Sequence, residues 1–153
     1  MPVSGFDHAA LPTADSERLL AFYKALGFAI EGEDAWRAGR MPIFSIVCGD
    51  QKINVHTEAL MARRDDPAFL RGPTAEPGCG DYCFVWEGGI DACLATLDAA
   101  GVAPIEGPVP RVGGRAGGTA LGVSVYARDP DANLLEFISY APDDVARYAP
   151  GRG

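Results

Sequence analysis

A diluted internal repeat constrains the fold of this chain more than any other feature. The segments Asp7 to Gly27 and Asp81 to Gly101 each predict a strand, a turn, an amphipathic helix and a closing glycine, which follows the first aspartate by 20 residues in both. A further set of short strands follows each glycine. The repeat therefore predicts an α+β fold built from two tandem copies of one βαβββ unit.

The predicted boundaries divide one domain, residues 1–153, into four parts. Module one covers about 5–57 and module two about 81–140, with a C-terminal tail at 141–153. The stretch between the modules, 58–80, is rich in charge, proline and glycine and is interpreted as a linker. In module two a strand is predicted near Ala103 to Glu106. We expect the glycine-rich segment Gly107 to Gly118 to be a mobile loop that closes near a cavity.

Charge and hydropathy exclude several classes of partner. The formal net charge is −8, and no cluster of lysine or arginine offers a surface for a phosphate backbone, so nucleic acid is not an expected partner. No window is apolar for long enough to span a membrane, and no signal peptide is evident. These features predict a cytoplasmic protein. The four cysteines form no C-x-x-C pair and are interpreted as small hydrophobic residues.

The candidate metal ligands are the two histidines and one glutamate. His8 lies on the first strand of module one, His56 on its last strand, and Glu136 on the last strand of module two. Strand alternation puts Asn54 and His56 on one face, opposite two apolar neighbours. Glu136 lies in an apolar strand, where an unpaired carboxylate would be costly. A first-row divalent ion, such as iron, nickel, zinc or manganese, would offset that cost.

Simpler interpretations stand beside the metal site. A histidine on a strand can be a core residue with satisfied hydrogen bonds rather than a ligand. A buried arginine, such as Arg111 or Arg128, could pair with Glu136 instead of a metal.

Three strings in the sequence resemble the vicinal oxygen chelate superfamily. This superfamily includes glyoxalase I, fosfomycin-resistance proteins, extradiol dioxygenases and bleomycin-resistance proteins. The chain resembles in particular its glyoxalase-domain proteins, among them a bacterial virulence-associated group. The resemblance covers about Phe6 to Tyr140 and depends on CGDQKINVH (Cys48 to His56), EGPVPR (Glu106 to Arg111) and SVYARDPDANLLEFISY (Ser124 to Tyr140).

The resemblance implies the glyoxalase/bleomycin resistance/dihydroxybiphenyl dioxygenase fold. Its two βαβββ modules form incomplete barrels around one divalent metal, which a substrate chelates through adjacent oxygens. Matched residue by residue, the ligand positions of the family give His8, His56 and Glu136. The fourth position is open, because the repeat puts Tyr82 there and the DYCF string favours Asp81. Ala132 stands where many relatives carry glycine.

Three functions are compatible with this pattern. A metal-dependent lyase or isomerase of glyoxalase type would use Glu136 as ligand and base, with Asp81 as a second catalytic carboxylate. The alternatives are an extradiol-type ring-cleaving dioxygenase and a protein that binds an antibiotic without catalysis. The expected partners are a small-molecule substrate and a second copy of the chain, in a homodimer whose metal site takes His8 and His56 from one subunit and Glu136 from the other. The predicted substrate contacts are Asn54, Trp86, Arg111 and Tyr126.

Overall fold

The computed structural model describes residues 2–151, which form two compact units. Unit one comprises the described residues up to Gly80 together with Pro130–Ala132, and unit two comprises Asp81–Asp129 and the residues from Asn133 onward. Each unit contains one βαβββ set and one four-stranded mixed sheet, and neither sheet closes into a barrel among the described residues. The tandem-module fold predicted from the repeat is confirmed.

Unit one is built on a sheet with the strand order β1-β4-β3-β2. The first and last strands, β1 and β4, are parallel, and the other pairs are antiparallel. Because parallel neighbours cannot be joined by a tight turn, the chain crosses over through a helix between them. The elements are β1 (His8–Pro12), α1 (Ser16–Ala25), β2 (Ile30–Glu31), α2 (Glu33–Arg37), β3 (Ile43–Cys48), β4 (Gln51–His56) and α3 (Glu58–Met61).

The core of unit one combines one face of α1 with alternate residues of the sheet. Asp15 caps the helix by accepting a hydrogen bond from the Arg18 amide. Alternation along each strand sends the apolar side chains to one side of the sheet. The buried apolar residues of this core are Leu11, Leu19, Leu20, Tyr23, Leu26, Phe44, Ile46, Ile53 and Val55.

Unit two repeats the arrangement with the strand order β5-β8-β7-β6, and β5 and β8 are parallel. Its elements are β5 (Asp81–Val85), α4 (Ile90–Ala99), β6 (Glu106–Val112), α5 (Arg115–Gly118), β7 (Leu121–Arg128), β8 (Leu134–Ser139) and α6 (Pro142–Tyr148). Its buried apolar residues are Ile90, Cys93, Leu97, Val123, Val125, Ala127, Leu135, Phe137 and Ile138. No helix within residues 2–151 is long and apolar enough to cross a membrane.

The structure corrects the prediction for the segment after α4. The strand expected near Ala103 to Glu106 begins at Glu106 and runs to Val112, through the first half of the stretch Gly107 to Gly118 interpreted as a mobile glycine-rich loop. The glycines of this stretch suggested a loop, and its prolines are tolerated because they lie on an edge strand. β6 is such an edge strand, with a register irregularity between Glu106 and Val109 and a cis peptide bond between Gly107 and Pro108.

Two further segments contain helices that the sequence did not predict. α3 lies at the start of the predicted linker 58–80, and α6 occupies most of the predicted tail 141–153, whose last two residues lie outside the described residues. The side chain of Asp144 in α6 accepts hydrogen bonds from the amide of Ile90 and the hydroxyl of Ser139. These contacts join the predicted tail to α4 and β8 of the same unit.

The turn between β7 and β8 places a residue with a side chain in the left-handed region. Ala132 has a φ of 71°, a conformation that favours glycine. The carboxylate of Asp129 holds the turn by accepting hydrogen bonds from the amide and the side chain of Asn133. Alanine at this position, in place of the glycine of many relatives, therefore strains the backbone.

We predict that Ala132→Gly stabilises the protein by about 1 kcal/mol, because a left-handed backbone costs a residue with a Cβ roughly that much. Chemical denaturation monitored by circular dichroism measures the change. The control is Ala95→Gly on the exposed side of α4, where glycine should lower the free energy of unfolding by about 1 kcal/mol. Equal destabilisation by the two variants would show that the turn carries no strain.

Candidate functional site

Each sheet has one face that carries the polar residues, which we call its polar face. In unit two it consists of Asp81 and Cys83 on β5, Glu136 on β8, Ser124 and Tyr126 on β7, and Glu106 and Arg111 on β6. In unit one it consists of His8 and Ala10 on β1, Lys52, Asn54 and His56 on β4, and Ser45 on β3. The register makes these assignments, because directly paired residues point to the same side of a sheet.

Glu136 is the centre of a hydrogen-bond network on the polar face of unit two. Its Oε1 accepts a hydrogen bond from the Ser124 hydroxyl at 2.5 Å, and the Cys83 thiol and the Tyr126 phenol lie beside it on the two neighbouring strands. Both residues pair directly with Glu136. Three uncharged groups thus take the place of the buried arginine considered from the sequence.

The protonation of these donors follows from their surroundings. Partial burial, together with the charge of Glu136, raises the pKa of the Cys83 thiol to about 12. Burial also raises the pKa of the Tyr126 phenol, and Glu136 adds to the effect while Arg111 opposes it. Both groups therefore carry their protons at neutral pH and face the carboxylate as uncharged groups.

Arg111 extends this network toward β6. Its Nε donates to the Tyr126 hydroxyl at 3.0 Å, and its guanidinium carbon lies 5.5 Å from the centre of the tyrosine ring. Its two terminal nitrogens donate to the Pro110 carbonyl at 3.1 Å and to the Glu106 carboxylate at 3.1 Å. Two predicted substrate contacts, Arg111 and Tyr126, are thus brought together beside Glu136.

The strand register separates Asp81 from Tyr82. Asp81 lies two residues before Cys83 and shares its face, whereas Tyr82 pairs with the buried Leu135 and points to the other side. The Tyr82 ring lies 6.2 Å from that of Phe84, in the apolar half of the unit. Of the two candidates for the fourth position, Asp81 is the one on the face of Glu136.

Trp86 lies on the apolar side of unit two. It follows the end of β5, and its ring meets that of the buried Phe137 edge to face at 5.8 Å. The indole Nε1 is buried and has no hydrogen-bond partner among the residues that the structure describes. The predicted role of Trp86 as a substrate contact gains no support from this position.

The first polar group of unit one is His8 at the start of β1. Its side chain is half exposed, and its Nδ1 lies 2.5 Å from the Asp7 carboxylate. Such a carboxylate orients an imidazole and selects the tautomer whose other nitrogen can bind a metal. Asn54 is the next polar residue on the adjoining strand, and its Oδ1 accepts a hydrogen bond from the Ser45 hydroxyl at 2.8 Å.

His56 lies farther along the polar face of unit one. β1 and β4 pair with His8 opposite Lys52, so His56 is four residues beyond that point, about 13 Å along the strand at the usual rise. Its ring contacts that of Phe69 at 5.1 Å between centres. Burial lowers the pKa of His56, and the charge of Arg71 lowers it further. The two histidines therefore lie on the same face of the sheet but four residues apart along its strands.

The two units place different residues at matching positions of their polar faces. Glu136 pairs with the residue two places after Asp81, and Asn54 pairs with the residue two places after His8. When the first residues of β1 and β5, His8 and Asp81, are matched, Glu136 corresponds to Asn54 rather than to His56. Within residues 2–151, no three side chains of histidine, cysteine, aspartate or glutamate are grouped closely enough to hold a metal ion.

Comparison with models of protein families assigns the chain to a superfamily. The family model of the Glyoxalase/Bleomycin resistance protein/Dioxygenase superfamily matches residues 5–137, almost the whole chain. The chain belongs to this superfamily. Proteins of the glyoxalase superfamily generally act on small molecules, form dimers and typically bind a divalent metal.

Individual relatives within the superfamily align over most of the chain. Virulence protein STM3117 of Salmonella typhimurium is 33% identical over 92% of this chain and 87% of its own length. The glyoxalase domain-containing protein RDO1 of Mycosarcoma maydis is 34% identical over 92% of this chain and 70% of its own length. The crystal structure of STM3117 matches 92% of this chain and all of that chain, with a TM-score of 0.73.

Sequence reasoning missed Ser124 and Cys83. Both lie in strings that carry the family resemblance, but neither was given a role there, and the cysteine was interpreted as a small hydrophobic residue, whereas Cys83 is exposed. Their contacts with Glu136 depend on which residues the strands pair, and alternation along one strand does not provide that information. The signal available in the sequence was the position of Cys83, two residues after Asp81 on the same predicted strand.

We predict that His56 titrates below its ordinary pKa of 6.5 and that Arg71→Gln raises this pKa, because the variant removes a neighbouring positive charge. The titration is followed by NMR of the imidazole in metal-free protein. Since folding disfavours the protonated ring, His56 contributes stability above pH 6.5 that is lost as the pH falls through the folded-state pKa.

Arg64→Gln is the matched control, because Arg64 and Arg71 both pair with Glu76. We expect this control to leave the His56 titration unchanged. An unaltered midpoint in Arg71→Gln, with the fold intact by amide NMR, would contradict the assigned electrostatic cause.

Proposed function

We propose that this protein is a divalent-metal-dependent enzyme of glyoxalase type, a lyase or isomerase acting on a small molecule that offers adjacent oxygens to the metal. The observation that carries the proposal is the Glu136 carboxylate, which accepts a hydrogen bond from Ser124 and has Cys83 and Tyr126 beside it on the polar face of unit two. A carboxylate oriented by an uncharged donor keeps its negative charge and can accept a proton or a metal.

The donor chemistry of the two polar faces suits a first-row divalent ion. Imidazole nitrogen and carboxylate oxygen are ligands that nickel, zinc, iron and manganese all accept. We assign His8 and Glu136 as ligands, with Asp81 as a further oxygen donor. For a third ligand on β4, His56 is the residue predicted from the sequence, and Asn54 is the residue that corresponds to Glu136 by register.

The chain supplies the proton chemistry in this proposal. A bound divalent ion would polarise the substrate oxygens and stabilise negative charge that develops on them. Glu136 accepts the proton removed from the substrate carbon and returns it to the neighbouring carbon, as a general base followed by a general acid. The Ser124 hydroxyl keeps the carboxylate oriented during both transfers, which limits the reorganisation that each transfer requires.

The relatives support the class of protein and leave the substrate open. The name of the Mycosarcoma maydis relative, at 34% identity, describes a glyoxalase domain. A ring-cleaving dioxygenase would need a further histidine for acid-base work, and His8 and His56 are the only two in the chain. The metal site shared between subunits of a homodimer stays a prediction, as does the cytoplasmic location.

Metal analysis of variants tests the proposed function. Protein stripped of metal and reloaded separately with nickel, zinc, iron or manganese should bind about one ion per chain. We expect His8→Ala and Glu136→Gln each to weaken binding of the preferred ion at least about tenfold, because changes even outside the ligand shell cost 10- to 100-fold. Mass spectrometry of equilibrated samples measures the occupancy, and comparison of His56→Ala with Asn54→Ala identifies the third ligand.

Glu87→Gln provides the matched control, since it removes the same charge from an exposed position outside both polar faces. The control should retain full metal binding, whereas Glu136→Gln should weaken it at least about tenfold. Unchanged metal binding in the His8→Ala, Glu136→Gln double variant would rule out the assigned ligands. A wild-type chain that binds none of the four ions would instead favour a non-catalytic binding protein.

A further inference from the structure

We propose that Arg111 and Tyr126 form a binding subsite for an anionic group, so that the substrate is a small organic acid. The recognised group is a carboxylate or a phosphonate bonded close to the carbon on which Glu136 acts. This inference rests on the proposed role of Glu136 and adds the chemical class of the substrate. It follows from the placement of one guanidinium on the polar face of unit two.

The strand pairing brings the Arg111 side chain back toward Glu136. Arg111 pairs with Gly122, which lies four residues before Tyr126 on β7. Gly122 presents no side chain, and a Cβ there would collide with Ile138. The arginine side chain extends along the sheet to the Tyr126 hydroxyl, and Tyr126 in turn pairs with Glu136. The long arginine side chain thus places its positive charge near the Glu136 carboxylate.

The guanidinium is held in place and still has donors to offer. Contacts with Tyr126, Pro110 and Glu106 occupy three of its five N–H groups. About 37% of the Arg111 side chain is exposed, so a ligand can reach it. A planar guanidinium of this kind binds carboxylate and phosphonate oxygens through paired hydrogen bonds.

A ligand can displace the Glu106 carboxylate from the Arg111 guanidinium. Its side chain is 58% exposed, and the pair with Arg111 has a nitrogen–oxygen distance of 3.1 Å. Exposed ion pairs of this type contribute little to stability, because both partners are well solvated. A substrate anion can therefore replace the Glu106 carboxylate at modest cost, while the Tyr126 contact keeps Arg111 oriented.

The short path from Arg111 to Glu136 limits the size of the substrate. The Tyr126 hydroxyl accepts from the guanidinium, and Tyr126 pairs directly with Glu136 on the neighbouring strand. An anionic group on Arg111 therefore lies within a few bonds of an atom in reach of Glu136. The chain carries a net charge of −8 and therefore repels anions in general. An anion that binds at Arg111 must be held by specific hydrogen bonds there and not by the overall charge of the protein.

The test measures binding of malonate, and of its uncharged counterpart malonamide, to metal-free protein labelled with nitrogen-15. Chemical shift changes, including that of the Arg111 Nε–H, give both dissociation constants. We expect malonate to bind at least about tenfold more tightly than malonamide, Arg111→Gln to abolish that preference, and Glu106→Gln to strengthen malonate binding several-fold by removing the competing carboxylate.

Arg147→Gln is the charge-matched control, because Arg147 pairs with Asp91 on the helices of the same unit. It should bind malonate within twofold of the wild-type protein. The proposal is overturned if Arg111→Gln also binds within twofold of wild type, or if malonate and malonamide bind equally well. No metal is present in this experiment, so its result does not depend on whether the metal ligands are assigned correctly. If the chain binds metal as proposed but shows no preference for malonate, only the anion subsite is contradicted.

Discussion

The parallel pairing of the first and last strands of each unit is the constraint on which the other features depend. It requires a helical crossover, which explains why each strand that opens a unit is followed by an amphipathic helix. It also puts the opening strand beside the closing strand, so that residues far apart in sequence lie on one polar face. Asp81 and Glu136 become neighbours in unit two by this pairing, and His8 and Asn54 do so in unit one.

The same pairing explains how a carboxylate is accommodated in an apolar strand. Glu136 has Leu135 and Phe137 as sequence neighbours, but these point into the core while its own side chain meets Ser124, Cys83 and Tyr126. Hydrogen bonds to a charged group are worth roughly 1.5–3 kcal/mol each, so removal of one donor leaves a substantial deficit. The donors stabilise the carboxylate without neutralising its charge, and that charge is what a base or a metal ligand requires.

The sequence predicted the architecture well and the site only in part. The internal repeat and the helical periodicity identified both modules and the two long helices, because these are properties of local sequence. The edge strand β6 was misplaced because the glycines of its segment suggested a loop, and only the sheet order shows that its prolines lie on an edge, where they are tolerated.

The misjudged parts of the site have one physical origin. Contacts across strands depend on register, and a single chain of alternating residues is compatible with several registers. Sequence reasoning therefore grouped His8 with His56, whereas the pairing puts them four residues apart along the sheet, and it overlooked Cys83 and Ser124 as partners of Glu136. The sequence identified residues with suitable chemistry, but it did not show which of them the strand pairing brings together.

Paramagnetic broadening by Mn²⁺ tests most directly whether the polar faces form the functional site. Substoichiometric Mn²⁺ is added to protein labelled with nitrogen-15, and the loss of amide signals is mapped along the chain. The account predicts selective broadening around His8, Asp81 and Glu136, with α4 little affected, and its disappearance in Glu136→Gln. Broadening centred instead on the acidic cavity of unit one, lined by Glu58, Asp65 and Glu76, and unchanged in that variant, would contradict it.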